Sequence, residues 1–183
     1  IDYVLNDDGT CYVNRAGPTY VARQENIEYL YIPNKICKNS RIYEVTKVGT
    51  RGGNNNKFRT LKKALIGAPT DESGKMAIVD YGFEDRTSLE EVMITDSVFS
   101  IGFGAFLGCN KIAKMTLPPC ASRLDRTFGN RVDTSTGEWV PQSLKTVTIH
   151  SNRETFKRLQ GRFFYKCRYI ETVNIDIKNL ESI

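Results

Sequence analysis

His150 is the only histidine in the chain, so a serine- or cysteine-based nucleophile that needs an imidazole base would have to use it. It follows Ile149 at the expected exposed end of a strand, with Ser151 next and no cluster of carboxylates beside it. That setting fits a solvent-facing polar side chain, and one histidine cannot build a histidine-rich metal site. Two glycine stretches invite a phosphate-binding reading. Gly102-Phe103-Gly104 with Gly108 approaches the G-x-G-x-x-G loop of dinucleotide folds, but the third glycine falls one place late. Gly67 to Gly74-Lys75 approaches a P-loop, but six residues separate the glycines and Met76 stands where Ser or Thr must hold magnesium. Neither stretch satisfies its chemistry. No pair of acids stands out for general acid–base work, and the sequence supports neither a cofactor nor a metal site.

Five cysteines, Cys11, Cys37, Cys109, Cys120 and Cys167, show neither zinc-knuckle spacing nor a dense disulfide framework. Cys109 and Cys167 close two similar segments, Phe106-Leu107-Gly108-Cys109 and Phe164-Tyr165-Lys166-Cys167, which suits small buried side chains. Cys11 and Cys37 could be bridged in an oxidising compartment. No Asn-x-Ser/Thr sequon occurs.

The formal net charge is +5, but the 26 Lys and Arg are scattered among 21 acids, which argues against a nucleic-acid surface. The densest basic run, Lys57 to Lys63, reads as a solvated loop entering a strand. No stretch approaches the ~20 apolar residues that span a bilayer. The longest uncharged run, Ser97 to Asn110, is short and broken by glycines. The sequence opens on Ile1 with no secretion-signal pattern and is read as a processed or excised chain that cannot report its own targeting.

What positions all these residues is a recurring pattern, apolar-x-x-apolar-x-apolar. It appears as Ile27/Leu30/Ile32, Leu61/Ala64/Ile66, Leu89/Val92/Ile94, Ile112/Met115/Leu117, Leu144/Val147/Ile149 and Ile170/Val173/Ile175, at intervals of 34, 28, 23, 32 and 26 residues. A period of this size predicts a stacked solenoid, each repeat giving one short strand to a parallel sheet. The 23-residue interval from Leu89 to Ile112 is the minimal coil, and longer intervals carry loops. In it Val98 and Ile101 pack the next edge, Gly102 permits a sharp corner, Ala105 and Phe106 fill the interior, and Cys109 closes the coil.

Residues 1–26 are expected to cap the solenoid. Tyr3, Leu5, Cys11 and Val13 alternate on either side of Asn6-Asp7-Asp8-Gly9, a hairpin signal. Residues 27–183 then form about six irregular repeats of a single domain. The loop Gly52 to Asn56 leads toward the second strand. The largest insertion is placed at 119–143, with Trp139 and a turn at Asp133 to Gly137. Phe156, Leu159 and Phe163 predict about two helical turns over Thr155 to Gly161. No polar C-terminal cap is evident, which suggests further repeats or a partner over the last coil.

The unit from Leu89 to Cys109 resembles the BspA-like (Treponema pallidum type) leucine-rich repeats of bacterial surface proteins. The likeness rests on Leu89, Val92, Ile94, Val98, Ile101-Gly102, Ala105-Phe106 and Cys109, and continues in Leu117-Pro118 and Ile32-Pro33. Tyr3 to Val13 and Tyr43 to Gly49 resemble the opening that often precedes such repeats. Departures are Ala64 in the second strand, Gly52-Gly53 in place of Ala-Phe, Phe163-Phe164 in the fifth coil, and the 119–143 stretch. The resemblance implies a right-handed solenoid at a bacterial cell surface or in secretion, with adhesion or protein binding as its role. It brings no catalytic residues.

If strand positions one, four and six face the core, positions three, five and seven face out. The outward residues of the last three strands are Thr146, Thr148 and His150, then Thr172, Asn174 and Asp176, preceded by Lys114, Thr116 and Pro118. The first three strands instead show Tyr29, Tyr31 and Pro33; Lys63, Leu65 and Gly67; Glu91, Met93 and Thr95. The candidate binding residues are therefore Tyr29, Tyr31, Lys63, Leu65, Glu91, Met93, Lys114 and Thr116, with an apolar centre of the kind that marks interaction sites. The expected partner is a protein or glycan, host extracellular matrix among the candidates. A non-enzymatic binding module is the leading expectation, and a structural spacer or self-assembling unit is the alternative.

Overall fold

A computed structural model describes residues 3–13, 28–49, 60–68, 74–120, 124–128, 141–153, 162–165, 167–178 and 180–181. The strands are β1 (Tyr3–Leu5), β2 (Thr10–Val13), β3 (Tyr29–Ile32), β4 (Lys35–Lys38), β5 (Arg41–Val48) and β6 (Lys63–Ile66). They continue as β7 (Met76–Ile78), β8 (Glu91–Ile94), β9 (Val98–Ile101), β10 (Lys114–Leu117), β11 (Thr146–Ser151) and β12 (Thr172–Ile177), with a single helical turn, α1 (Leu124–Thr127), after β10.

The six repeat strands lie side by side in chain order, β3-β6-β8-β10-β11-β12, every neighbouring pair parallel. The register does not slip, so Tyr29, Lys63, Glu91, Lys114, Thr146 and Thr172 form one row across the sheet. A slip of one residue would turn the apolar set outward, so burial of the inner face fixes the register. Leu30 and Ile32, Ala64 and Ile66, Val92 and Ile94, Met115 and Leu117, and Val147 and Ile149 are all buried. The first position of the second to fifth patterns, Leu61, Leu89, Ile112 and Leu144, is fully buried beneath them. The sixth coil differs: Val173 is 43% exposed where its neighbour Val147 is 0% exposed.

A second sheet, not anticipated from the sequence, runs along another side in the order β1-β2-β5-β7-β9, with β4 paired to β5. β5, β7 and β9 are parallel and belong to the first three coils. Their inward residues Tyr43, Val45, Val48, Met76, Ile78 and Val98 are buried. β7 and β9 have only three and four residues, too few to show a clear alternation in sequence. β4 and β5 form a hairpin through Asn39 and Ser40, both at positive φ (50° and 59°), as a two-residue hairpin turn requires.

The N-terminal hairpin is present: β1 and β2 pair antiparallel, and β2 pairs with β5, so the hairpin covers the first coil's edge of the second sheet. Leu5 packs against the core and Cys11 is fully buried. All five cysteines are free, Cys11 buried in β2 and Cys37 exposed in β4, so the alternative bridge is not formed.

The coils close through a stack of tight turns. Phe83 N–H donates to Ala105 O (2.7 Å), Asp85 N–H to Leu107 O (2.7 Å), Phe106 N–H to Thr127 O (2.9 Å), and Leu124 N–H to Phe163 O (3.0 Å). Phe83 stacks on Phe106 with centroids 5.2 Å apart, and Phe128 follows at 6.5 Å from Phe106. Gly82-Phe83 and Thr127-Phe128 thus take the places that Ala105-Phe106 fills in the third coil. Residues 124–128 are part of a regular coil, so the stretch 119–143 is not wholly an insertion. Trp139, Asp133 to Gly137, Gly52 to Asn56 and the expected helix at Thr155 to Gly161 lie outside the described residues.

Gly102 has a different role from the one expected. Its backbone is not left-handed; the left-handed angles fall on Gly104 (φ 61°) and Gly108 (φ 76°). Gly102 is required for space, because a Cβ there would collide with the backbone nitrogen of Asp80 and lie 2.6 Å from its Oδ1. Phe103 N–H donates to that same carboxylate at 2.8 Å.

Candidate binding face

The eight candidate residues lie on one face of the six-stranded sheet, in two rows that cross the strands. Tyr29, Lys63, Glu91 and Lys114 share the first row, and Tyr31, Leu65, Met93 and Thr116 the second. Neighbouring strands stand ~4.8 Å apart, so residues in a row are in contact range. Tyr29 (67% exposed), Tyr31 (49%) and Met93 (44%) are among the most exposed large apolar side chains, and Leu65 between them is partly exposed. The second row then turns polar through Thr116, Thr148 and Asn174, whose side-chain amide lies 3.4 Å from Thr148 Oγ1. The face changes from apolar to hydroxyl- and amide-bearing between the third and fourth strands.

Cross-strand register also pairs the charges. Lys63 Nζ lies 2.8 Å from Glu91 Oε2, Lys62 Nζ 2.7 Å from Glu28 Oε1, and Lys145 Nζ 2.9 Å from Glu171 Oε1. Hydrogen bonding to Glu91 raises the pKa of Lys63, and Glu28 does the same for Lys62. Residue types at the same repeat position announced these pairs, but only once the register was fixed.

At position seven the second, third and fourth repeat strands depart from the outward rule. Gly67, Thr95 and Pro118 are buried, because the chain turns there into the corner beneath the face. A Cβ on Gly67 would meet Thr95 Oγ1, and Ala68 N–H donates to Ser97 Oγ at 3.1 Å. These residues leave the face. His150 and Asp176 remain on it, His150 Nδ1 standing 3.0 Å from Asp176 Oδ2. Ser151 points to the opposite side, fully buried, and donates to Asp96 Oδ1 at 2.8 Å. The adjacent serine and histidine are therefore not brought together as nucleophile and base.

A crossing of coils was missed in the sequence. Asp96, 4% exposed, accepts from Ser151 Oγ and from Asn152 N–H (2.7 Å), so one carboxylate in the third coil holds the fifth across the fourth. No local pattern signals a bond between residues 55 positions apart.

The thiol of Cys109 is buried and donates to Phe83 O at 3.1 Å; burial pushes its pKa up to about 12. Among the described residues there is no group of three or more His, Cys, Asp or Glu that could hold a metal ion. A shallow depression between Asn34, Lys35, Glu44, Lys75 and Met76 has room for about one water. Lys75, the lysine of the P-loop-like stretch, pairs there with Glu44 at 2.9 Å. No helix among the described residues is long and apolar enough to cross a membrane.

The family model described as BspA type leucine rich repeat region (6 copies) matches residues 76–136. Those residues are a BspA-type leucine-rich repeat region. The chain as a whole is a leucine-rich-repeat solenoid, and the same strand-and-turn unit recurs on both sides of the matched segment. A search of curated proteins found no match. Among solved structures, a leucine rich cell surface protein from Faecalibacterium prausnitzii A2-165 aligns over 94% of this chain at 25% identity, with a TM-score of 0.50. This chain spans 40% of that protein's length. A leucine-rich repeat protein from Bacteroides ovatus ATCC 8483 aligns over 98% of this chain and 66% of its own, far more loosely, at 14% identity and a TM-score of 0.26. The family match and the likeness to the Faecalibacterium prausnitzii protein, which is described as a cell surface protein, support a repeat module for binding or for structure.

Proposed function

We propose that the protein is a non-enzymatic module of a bacterial cell-surface or secreted protein, binding a protein or glycan ligand through the outward face of its six-stranded sheet. The observation that carries this reading is the apolar patch of Tyr29, Tyr31, Leu65 and Met93 on three consecutive strands. Exposed apolar patches bordered by polar residues mark interaction sites, and tyrosine is enriched in them. The binding mechanism is rigid display. Ladder bonds and a packed core fix these side chains on a lattice, so little conformational entropy is lost when a ligand docks. Adhesion to a host surface is the role this would serve.

The test is a binding screen of the folded protein against extracellular-matrix proteins and glycans, beside the double variant Tyr31→Glu/Met93→Glu. Binding that the variant loses while keeping the wild-type circular dichroism supports the face. Equal binding by both places the ligand elsewhere and overturns it.

A second reading is a structural spacer or self-assembling unit, in which coil would stack on coil as the neighbouring repeats of this chain do. Sedimentation over a wide concentration range decides it: growth of mass with concentration supports self-assembly, and a constant monomer mass removes it.

A further inference from the structure

We infer that the ligand of this face is an uncharged, extended polysaccharide lying across the strands, along the row Tyr31–Leu65–Met93–Thr116–Thr148–Asn174. The inference rests on the binding face proposed above and names its ligand. Three observations lead to it.

The first is spacing. The row presents one side chain per strand, six strands in unbroken register, at ~4.8 Å per step. An extended polysaccharide with equatorial linkages advances by nearly this distance per pyranose residue, so successive sugars would meet successive coils. An extended peptide advances ~3.3 Å per residue and drops out of step after two or three strands. The second is charge. The outward face sets Lys63 and Lys114 against Glu91 and Asp176, with Lys63 Nζ 2.8 Å from Glu91 Oε2, so neither sign of charge is in excess. Charge complementarity therefore favours a neutral polymer over an anionic one. The third is chemistry. Tyr31 offers an exposed ring to the apolar CH face of a sugar, while Thr116, Thr148 and Asn174 offer hydroxyl and amide groups to its oxygens.

Affinity electrophoresis of the folded protein tests this. The gels contain a soluble β-glucan, a galactomannan or hydroxyethyl cellulose as neutral polysaccharides, and heparin or alginate as anionic ones. Retardation is expected in at least one neutral gel and is expected to be the same at low and high salt. Oligosaccharides of that sugar should bind more tightly with length up to about six residues, one per strand. Tyr31→Ala should abolish retardation. Thr148→Val with Asn174→Ala should weaken it roughly tenfold, as the loss of two hydrogen bonds predicts. The inference is overturned if only anionic gels retard the protein, or if affinity does not depend on oligosaccharide length. It is also overturned if no gel retards the protein while a matrix protein binds and Tyr31→Glu/Met93→Glu abolishes that binding; the face would then stand with a protein ligand. Failure of both polysaccharides and proteins to bind overturns the face itself.

Discussion

The bond from Asp96 to Ser151 makes a quantitative prediction about how the coils are held together. In wild type the Asp96 carboxylate receives Ser151 Oγ–H at 2.8 Å and Asn152 N–H at 2.7 Å, and Arg153 N–H donates to Ser151 Oγ at 3.1 Å. Asp96→Ala removes both acceptors. The Ser151 hydroxyl is then left fully buried without its acceptor, while the Asn152 amide, in an exposed residue, can turn to water. Hydrogen bonds to charged groups contribute about 1.5–3 kcal/mol each, and water recovers part of the second, so the expected cost is roughly 2–4 kcal/mol. For a chain of this size each kcal/mol moves Tm by about 2–4 °C. Ser151→Ala alone is expected to cost less, because Asn152 still reaches Asp96. The decisive quantity is the coupling energy from the cycle of Asp96→Ala, Ser151→Ala and the double variant, expected at about 1.5–3 kcal/mol. It is measured by guanidinium unfolding, with hydrogen exchange reporting on coils three and five separately, since a repeat array need not unfold as one unit. Additive single effects, with a coupling below ~0.5 kcal/mol, would refute the brace, because residues that do not interact add within that margin.

Phe106→Ala deletes the centre of the aromatic stack and should cost about 3–5 kcal/mol in urea unfolding, as full-size aromatic truncations in packed cores do; a loss under ~1 kcal/mol would mean that the stack relaxes around the gap. Cys109, whose pKa burial pushes up to about 12, should resist iodoacetamide at neutral pH in the folded protein while exposed Cys37 is alkylated, as read by peptide mass spectrometry. Hydrogen bonds from the Thr10 hydroxyl and amide hold Asp8 below its ordinary pKa of 3.8, so the turn of the N-terminal hairpin is stabilised above that pH and loses this support as pH falls through the lower, folded value. Thr10 amide protection, followed by NMR, should fall on acidification in wild type and be low and pH-independent in Asp8→Ala. Gly102→Ala should destabilise by its clash with Asp80, whereas Gly104→Ala should do so through φ and its contact with the Tyr81 ring; Tyr81→Ala should relieve only the second, as paired thermal melts will tell.

The sequence by itself determined the solenoid, its six-stranded sheet and the residues on its outer face. These follow from two short-range rules: an apolar period that each coil must bury, and a period of two along each strand. The hairpin at Asn6 to Gly9 was equally legible, because turn chemistry is local. The tertiary structure alone decided what depends on register and on distant contacts. In the second sheet β7 and β9 are too short to alternate visibly. Gly82-Phe83 and Thr127-Phe128 became members of the aromatic stack only when the coils were aligned, because their intervals differ and residue types are not repeated. Gly67, Thr95 and Pro118 left the face because the chain bends into a corner that strand periodicity does not foresee. The ion pairs between neighbouring coils, such as Lys63 with Glu91, required the partner strand's position. The Asp96–Ser151 bond links residues 55 apart in sequence and has no local signature at all. Short-range periodicity specifies what each coil must bury; stacking specifies which coils then touch.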